Sequence, residues 1–325
     1  MAAPATPRSH KPSPRLAGPG LLERLRRAMD SDIFYTFIRQ PVVVTSFVVT
    51  VVMVLAAVFA PVLAPQNPFN PSELRLMDAF AAPGTEAISG EMSYWLGADG
   101  QGRDVFSAIL YGSRISLLVG VSAVLFAMVL GTGLGLYAGY RGGWPDAVIM
   151  RIVDVQLTFP SILVALLIFG VVSNVMPAGD RAQAALIVLI VSIGLSDWVH
   201  YARTVRGATM VEKTKEYVQA GHVIGLPART ILVRHVLPNV MRPVLVIATI
   251  GLALAIIAEA TLSFLGVGMP PTQPSLGTLI RQGQDYMFSG EWWITFFPSL
   301  ALLALALSVN LLGDWLRDVL NPKLR

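Results

Sequence analysis

Long apolar runs alternate with polar stretches along these 325 residues, and six of the runs are long enough to cross a membrane as helices. A helix rises about 1.5 Å per residue, so about 20 apolar residues cover a hydrocarbon core of about 30 Å. The clearest runs are 42–63, 114–140, 152–176 and 292–314. Two more, 182–202 and 240–265, each hold one acid, Asp197 and Glu259, and are assigned on overall hydropathy. The pattern predicts an all-α membrane protein with six transmembrane helices.

The polar segments differ in kind. Residues 1–20 are rich in Pro, Ala, Ser and basic residues, which suits a disordered tail better than a secretory signal, because no apolar run follows until Val42. Within 21–41, Leu22, Leu25, Met29 and Ile33 recur at helical spacing and predict an amphipathic, interfacial lead-in helix. Segment 64–113 carries six acids and is punctuated by Pro65, Pro68, Pro71, Pro83 and Gly84, so it should be extended and rich in turns, with a short helix entering the second run. Its Asp99 and Asp104 lack the spacing and terminal Glu of an EF-hand and read as turn and capping residues. Segment 266–291 opens on an irregular turn, Gly266 to Pro274, and offers a short amphipathic helix after Ser275. Trp292, Trp293 and Phe296 fall where an aromatic belt anchors a span, and 315–325 is a short tail.

Composition adds orientation. Hydrophobic residues make up 54% of the chain and charged ones 14%, against about 25% charged in soluble domains. Nineteen of the twenty-four Lys and Arg lie before the first run, in the second connection, in the stretch from Arg203 to Arg242, or after the last run. Because these residues accumulate on the cytoplasmic side, both termini and segment 203–239 are placed in the cytoplasm. The absence of cysteine removes disulfides and thiolate chemistry, and the four histidines form no metal-binding pair. No nucleophile–base constellation points to an enzyme.

Ala123, Ala127, Gly131, Gly135 and Gly139 recur every fourth residue in the second run, on one helical face where another helix can approach closely. Packing inside one subunit and a subunit seam or pore lining both remain open. Acids inside a span are costly and are functional candidates by default. Asp154 and Asp197 lie near span ends and read as structural; Glu259 lies deeper and is either an internal hydrogen-bonding group or part of a solute pathway.

In the basic segment 203–239, Tyr217, Ala220, Gly221 and Ile224 fall at i, i+3, i+4 and i+7, a helical face with a small notch between two larger side chains. Gly225 suits the position just past a helix end, and Pro227 can begin a second helix over 228–236 that should stop before Pro238. Such a surface either binds lipid headgroups or docks a soluble partner, and only docking uses the notch and the bend.

These residues carry a resemblance. Gln219-Ala220-Gly221, then Gly225, then Leu237-Pro238 resembles the EAA loop of permease subunits in ATP-binding-cassette (ABC) importers, with Gln219 and Gly221 standing where that loop has Glu and Ala, and His235 where it has Ile. Leu96-Gly97-Ala98-Asp99, Gly102-Arg103-Asp104-Val105, Tyr111 to Leu117, Glu259-Ala260, Leu262 to Gly266, Pro274 to Gly277 and Asn310 to Asp314 are similar to the C-type permease of dipeptide, oligopeptide and nickel importers. The resemblance implies a type I ABC importer permease fold, with the permease domain over about 114–318, in a bacterial inner membrane. It implies an ATPase-coupling set of Glu216, Tyr217, Gln219, Ala220, Gly221, Ile224, Gly225, Leu237 and Pro238. It also implies a B-type permease as heterodimer partner, two ABC ATPases and an extracytoplasmic solute-binding protein, with no nucleic acid. No cofactor is expected in this chain: ATP and Mg²⁺ belong to the partner ATPases, and the sequence has no GxxxxGK[ST] phosphate loop. Short peptides are the expected cargo, nickel or another small solute the alternative. The rival from another class is a stand-alone carrier using Glu259 and Asp197.

Overall fold

The computed structural model describes residues 32–88, 90, 92–175 and 181–320, in two units, Met1–Val44 and Thr45–Arg325. In the first, the described part is a short helix α1, Asp32–Ile38, and the start of α2, Pro41–Val58. The expected tail 1–20 and most of the lead-in 21–41 lie outside the described residues.

The second unit is helical, because a chain in hydrocarbon must satisfy its backbone polar groups within each segment. After α2 come α3 (Ala60–Leu63), α4 (Val105–Arg141), α5 (Gly143–Gln156), α6 (Ser161–Val175), α7 (Arg181–Glu212), α8 (Glu216–Val223), α9 (Ala228–Ile231), α10 (Leu237–Phe264), α11 (Leu276–Gln284) and α12 (Trp293–Leu320). Among the described residues five helical stretches are long and apolar enough to cross a membrane, and α5 with α6, counted as one broken span, makes six.

Hydropathy treats 152–176 as one straight span, and the structure corrects this. Helix α5 ends at Gln156, α6 begins at Ser161, and the two are bent by 101°. Pro160 lacks a backbone donor and disfavours helical geometry at Phe159, a local effect that apolarity does not register. The Gln156 side chain then crosses to α7, donating to the carbonyls of Leu195 at 2.8 Å and Ser196 at 3.0 Å and accepting from Trp198 Nε1 at 3.0 Å.

Helix α4 has no separate lead-in. It starts directly after Asp104, whose carboxylate caps it by accepting from the Ser107 amide at 2.8 Å and hydroxyl at 2.6 Å. Its 37 residues give about 55 Å of length, well beyond the hydrocarbon core. Along it, the small-residue stripe meets α7. A Cβ on Gly131 would lie 2.4 Å from the Trp198 carbonyl oxygen, on Gly135 2.6 Å from that of Ala202, and on Gly139 2.8 Å from that of Arg206. Ala123 and Ala127 are buried on the same side. The stripe thus serves close helix packing within this chain.

The segment before α4 folds back on itself through a two-residue antiparallel ribbon, β1 (Thr85–Glu86) and β2 (Ser93–Tyr94). Asp78 accepts from the Ile88 amide at 2.9 Å and the Tyr94 hydroxyl at 3.1 Å; burial, helped by that carboxylate, pushes Tyr94 up to about 12. Buried Arg103 joins this segment to the 266–291 connection, donating to Asp99 at 2.6 Å, the Pro271 carbonyl at 3.1 Å and Gln282 at 2.9 Å.

The aromatic belt is only partly where the sequence puts it. Trp292 and Phe296 are exposed, but Trp293 is 8% exposed and donates to the Ala98 carbonyl at 3.1 Å. Its ring fills the space above Gly97, where a Cβ would lie 2.5 Å away. A tryptophan at a span end anchors or packs according to its tertiary neighbours, which its position in the sequence does not specify.

Candidate functional site

Helix α8 begins with Glu216, an acid where the helix dipole favours one, and ends in a Schellman turn. The Leu226 amide donates to the Gly221 carbonyl and the Gly225 amide to that of His222, both at 3.0 Å, with Gly225 at φ +78°. Val218 is the buried foot of α8, in a core cluster with Val205 of α7, Ile231 of α9, Val236, and Val240 of α10.

The second helix does not stop before Pro238. Instead a π-helical turn, Leu232–Val236, carries α9 directly into α10, with Pro238 in the first turn of α10. The wider i→i+5 ladder absorbs the donor missing at Pro238, so a residue that suggests a stop by local rules is accommodated inside a continuous rod.

Around α8 the structure brings together groups the sequence holds apart. The Tyr217 hydroxyl donates to Glu212 at the end of α7 and accepts from Asn239 Nδ2 of α10 at 2.9 Å. Lys215 pairs with the same Glu212 at 2.8 Å. His222 stacks on Tyr140 of α4 with ring centroids 6.2 Å apart, and Lys213 donates to the Gly139 carbonyl at 2.8 Å. Nearby, Arg206 holds Asp146 of α5 through two bonds at 2.6 and 2.7 Å, and Arg203 pairs with Asp154. Helix α8 is therefore clasped to α4, α7 and α10. Glu212 and Asn239 escape a sequence reading because they are 5 and 22 residues from Tyr217 and share no motif with it.

Of the predicted face, Tyr217, Ala220 and Ile224 are exposed, as are Glu216, Gln219, Gly225 and Pro238, while Leu237 is half-buried. Gly221 is different: it is buried and faces Ile231 and Leu226, so it is not part of an outward notch. The outward apolar surface is instead Ala220, Val223 at 87% exposure and Ile224 at 73%. Two adjacent aliphatic residues at the end of an otherwise polar helix were the available signal for Val223. Gln219 donates its amide to the Lys213 carbonyl at 3.2 Å, a bond that the usual Glu, an acceptor only, could not make.

These positions yield a paired prediction. A Cβ on Gly221 would meet Ile231 at 3.6 Å, ordinary contact distance, so Gly221→Ala should stabilise α8 by about 0.5–1 kcal/mol. Gly225→Ala places a Cβ in the left-handed region and should cost about 1–2 kcal/mol. Amide hydrogen exchange across 216–226 in the purified protein should show the two shifts in opposite directions.

Glu259 is fully buried. It accepts from Ser116 of α4 and Ser263 of α10, each at 2.7 Å, and Ser116 in turn accepts from the Leu276 amide of α11 at 3.3 Å. The structure places it in an internal cluster joining three helices, and it does not line the main cavity of the bundle. That cavity, about 930 Å³, lies among α4, α6, α7 and α10, with Ile162, Ser196, Asp197, His200, Leu254 and Ala258 on its wall.

A bent multi-span bundle whose short exposed helix is clasped to several spans fits the class of membrane permeases. The comparisons with known proteins agree. Residues 131–325 match the family described as binding-protein-dependent transport system inner membrane component, and residues 31–83 match the N-terminal TM domain of oligopeptide transport permease C. The chain belongs to the binding-protein-dependent transport system inner membrane component family. It is 38% identical to the dipeptide transport system permease protein DppC of Escherichia coli, over 90% of this chain and 93% of that protein. It is 37% identical to DppC of Haemophilus influenzae, over 84% of this chain and 88% of that protein. It is also 37% identical to the glutathione transport system permease protein GsiD of Pectobacterium atrosepticum, over 90% and 91%. In fold it resembles the permease of the MetNI methionine ABC transporter in an inward-facing conformation, with a TM-score of 0.51, 19% identity and coverage of 66% of this chain and 96% of that one. The type I importer permease fold expected from the motifs is the observed one.

Proposed function

We propose that this chain is one half of the pore of an ATP-driven importer that moves short peptides inward by alternating access. Both termini and the α8 segment face the cytoplasm, where positively charged connections concentrate. A B-type permease completes the pore, two ABC ATPases dock on the cytoplasmic face, and an extracytoplasmic solute-binding protein delivers cargo. ATP and Mg²⁺ are held by the ATPases, and this chain carries no cofactor. The observation that supports the reading most is α8 itself, with Ala220, Val223 and Ile224 exposed outward while Tyr217 ties its other side to Glu212 and Asn239. A force applied to that face passes to α7 and α10 through hydrogen bonds and packed side chains rather than through a loose loop. Closure of the ATPases would then open the cavity to one side, and hydrolysis would reset it. The peptide assignment is supported by the relatives named for dipeptide and glutathione transport.

The test is reconstitution of the chain with its partner permease, ATPases and binding protein in proteoliposomes. ATP-dependent uptake of a labelled dipeptide, absent when any one subunit is omitted, is expected. Uptake of nickel in place of the dipeptide would move the assembly to another cargo, and ATP-independent uptake by this chain alone would replace the importer by a carrier.

A further inference from the structure

We propose that Asp197 is a specificity-determining residue of the cavity, receiving the protonated amine of the cargo as it crosses. The proposal rests on the importer reading above and adds the chemistry of the recognised group. The cavity of about 930 Å³ is of the size that encloses a small molecule, and most of its wall is apolar, from Val124, Ile162, Ala165, Ile250, Leu254 and Ile257. Among the described residues Asp197 is the only carboxylate on that wall. Its side-chain hydrogen bond is a long one, from Ser196 Oγ at 3.4 Å, and among the described residues it has no ion pair.

Among the described residues no neighbouring charge is ion-paired with it. Arg203, two turns along α7 and also on the wall, is already paired with Asp154. The other titratable groups on the wall are His200 and Tyr201. The Tyr201 hydroxyl, buried beside Gly251, finds no hydrogen-bond partner among the described residues. Glu259, the other acid deep in a span, already accepts from two serines. A carboxylate kept inside a span without an ion-pair partner is costly, and an approaching cation offsets that cost. Inside low-dielectric walls it concentrates cations over anions by about 10-fold or more. Of the charged ends of a short peptide, the ammonium is the one this wall attracts.

The chain has no cysteine, so one introduced thiol reports on the cavity without background from this subunit. In the complete transporter, Ala258→Cys would be labelled with cationic and anionic methanethiosulfonate reagents, each rate divided by that for a free thiol. The cationic reagent should be favoured about 10-fold, Asp197→Glu should keep the preference, and Asp197→Asn should bring the ratio close to one. Dipeptide uptake by Asp197→Asn should fall about 10-fold while ATPase activity is retained. Should Asp197→Asn fail to assemble, Asp197→Ser supplies the same comparison. A ratio indifferent to the charge at 197, or a thiol that never reacts, overturns the proposal. Failure of the importer reading shows separately, as a wild-type complex without uptake, because the labelling ratio does not depend on transport.

Discussion

Ala220→Arg should abolish peptide uptake, by at least about 100-fold, and detach the ATPases from a permease that still inserts and folds. Ala220 is exposed on α8 beside Val223 and Ile224, so the substitution disturbs no packing within the chain and should change its stability by less than about 0.5 kcal/mol. In a docked interface the same position would be desolvated. An arginine there is both oversized for a site shaped around a methyl group and a charge buried without a partner, which costs about 3–5 kcal/mol. At 1.4 kcal/mol per decade, that is a loss of about 10²–10⁴ in affinity. Co-purification of ATPase with the tagged permease, measured beside uptake, checks it. Normal association and uptake in a correctly inserted Ala220→Arg protein would remove α8 as the docking element. Gln219→Ala should have a much smaller effect, because the Gln219 amide is turned to the Lys213 carbonyl.

How much of this was legible beforehand follows from the range of the forces involved. Spans show in the sequence because lipid imposes a length of apolar residues on each, and the turn at Gly225 shows because a positive φ after a helix asks for glycine. The break at Pro160 and the continuity through Pro238 point the other way. Both prolines break local rules equally, and the difference lies in what surrounds them: Gln156 fastens the first bend to α7, while the π turn takes up the second. The clasp of Glu212, Tyr217 and Asn239 and the inward turn of Gly221 depend on where α7, α8 and α10 meet, which periodicity within one helix cannot report. Trp293 and Glu259 likewise hold roles set by partners far along the chain, Ala98 in one case and Ser116 in the other.

Gly135→Leu should be among the most damaging single changes in the chain, whereas Gly133→Leu, two residues away on the same helix, should be tolerated. A Cβ on Gly135 would lie 2.6 Å from the Ala202 carbonyl oxygen and 2.8 Å from the Val205 Cβ. The first of these is backbone in the middle of α7, so no rotamer change relieves the contact and the two helices must separate. Overpacking a core costs about 1–3 kcal/mol where side chains can yield, and more is expected where they cannot. The seam is repeated at Gly131 and Gly139, so prying it open at its centre weakens both neighbours. Gly133 has nothing within 4 Å of its Cβ position, and replacing it with Leu should improve helix propensity by about 1 kcal/mol. In detergent, Gly135→Leu should lower the melting temperature by about 10 °C or more, or prevent accumulation of the protein, while Gly133→Leu melts with the wild type. Equal damage at the two positions would mean that the Gly133 side of α4 is also tightly covered, as it would be by a partner subunit. Tolerance at both would mean that the stripe does not hold α4 to α7. The contrast within one helical turn distinguishes loss of close packing from a general intolerance of large residues in the span.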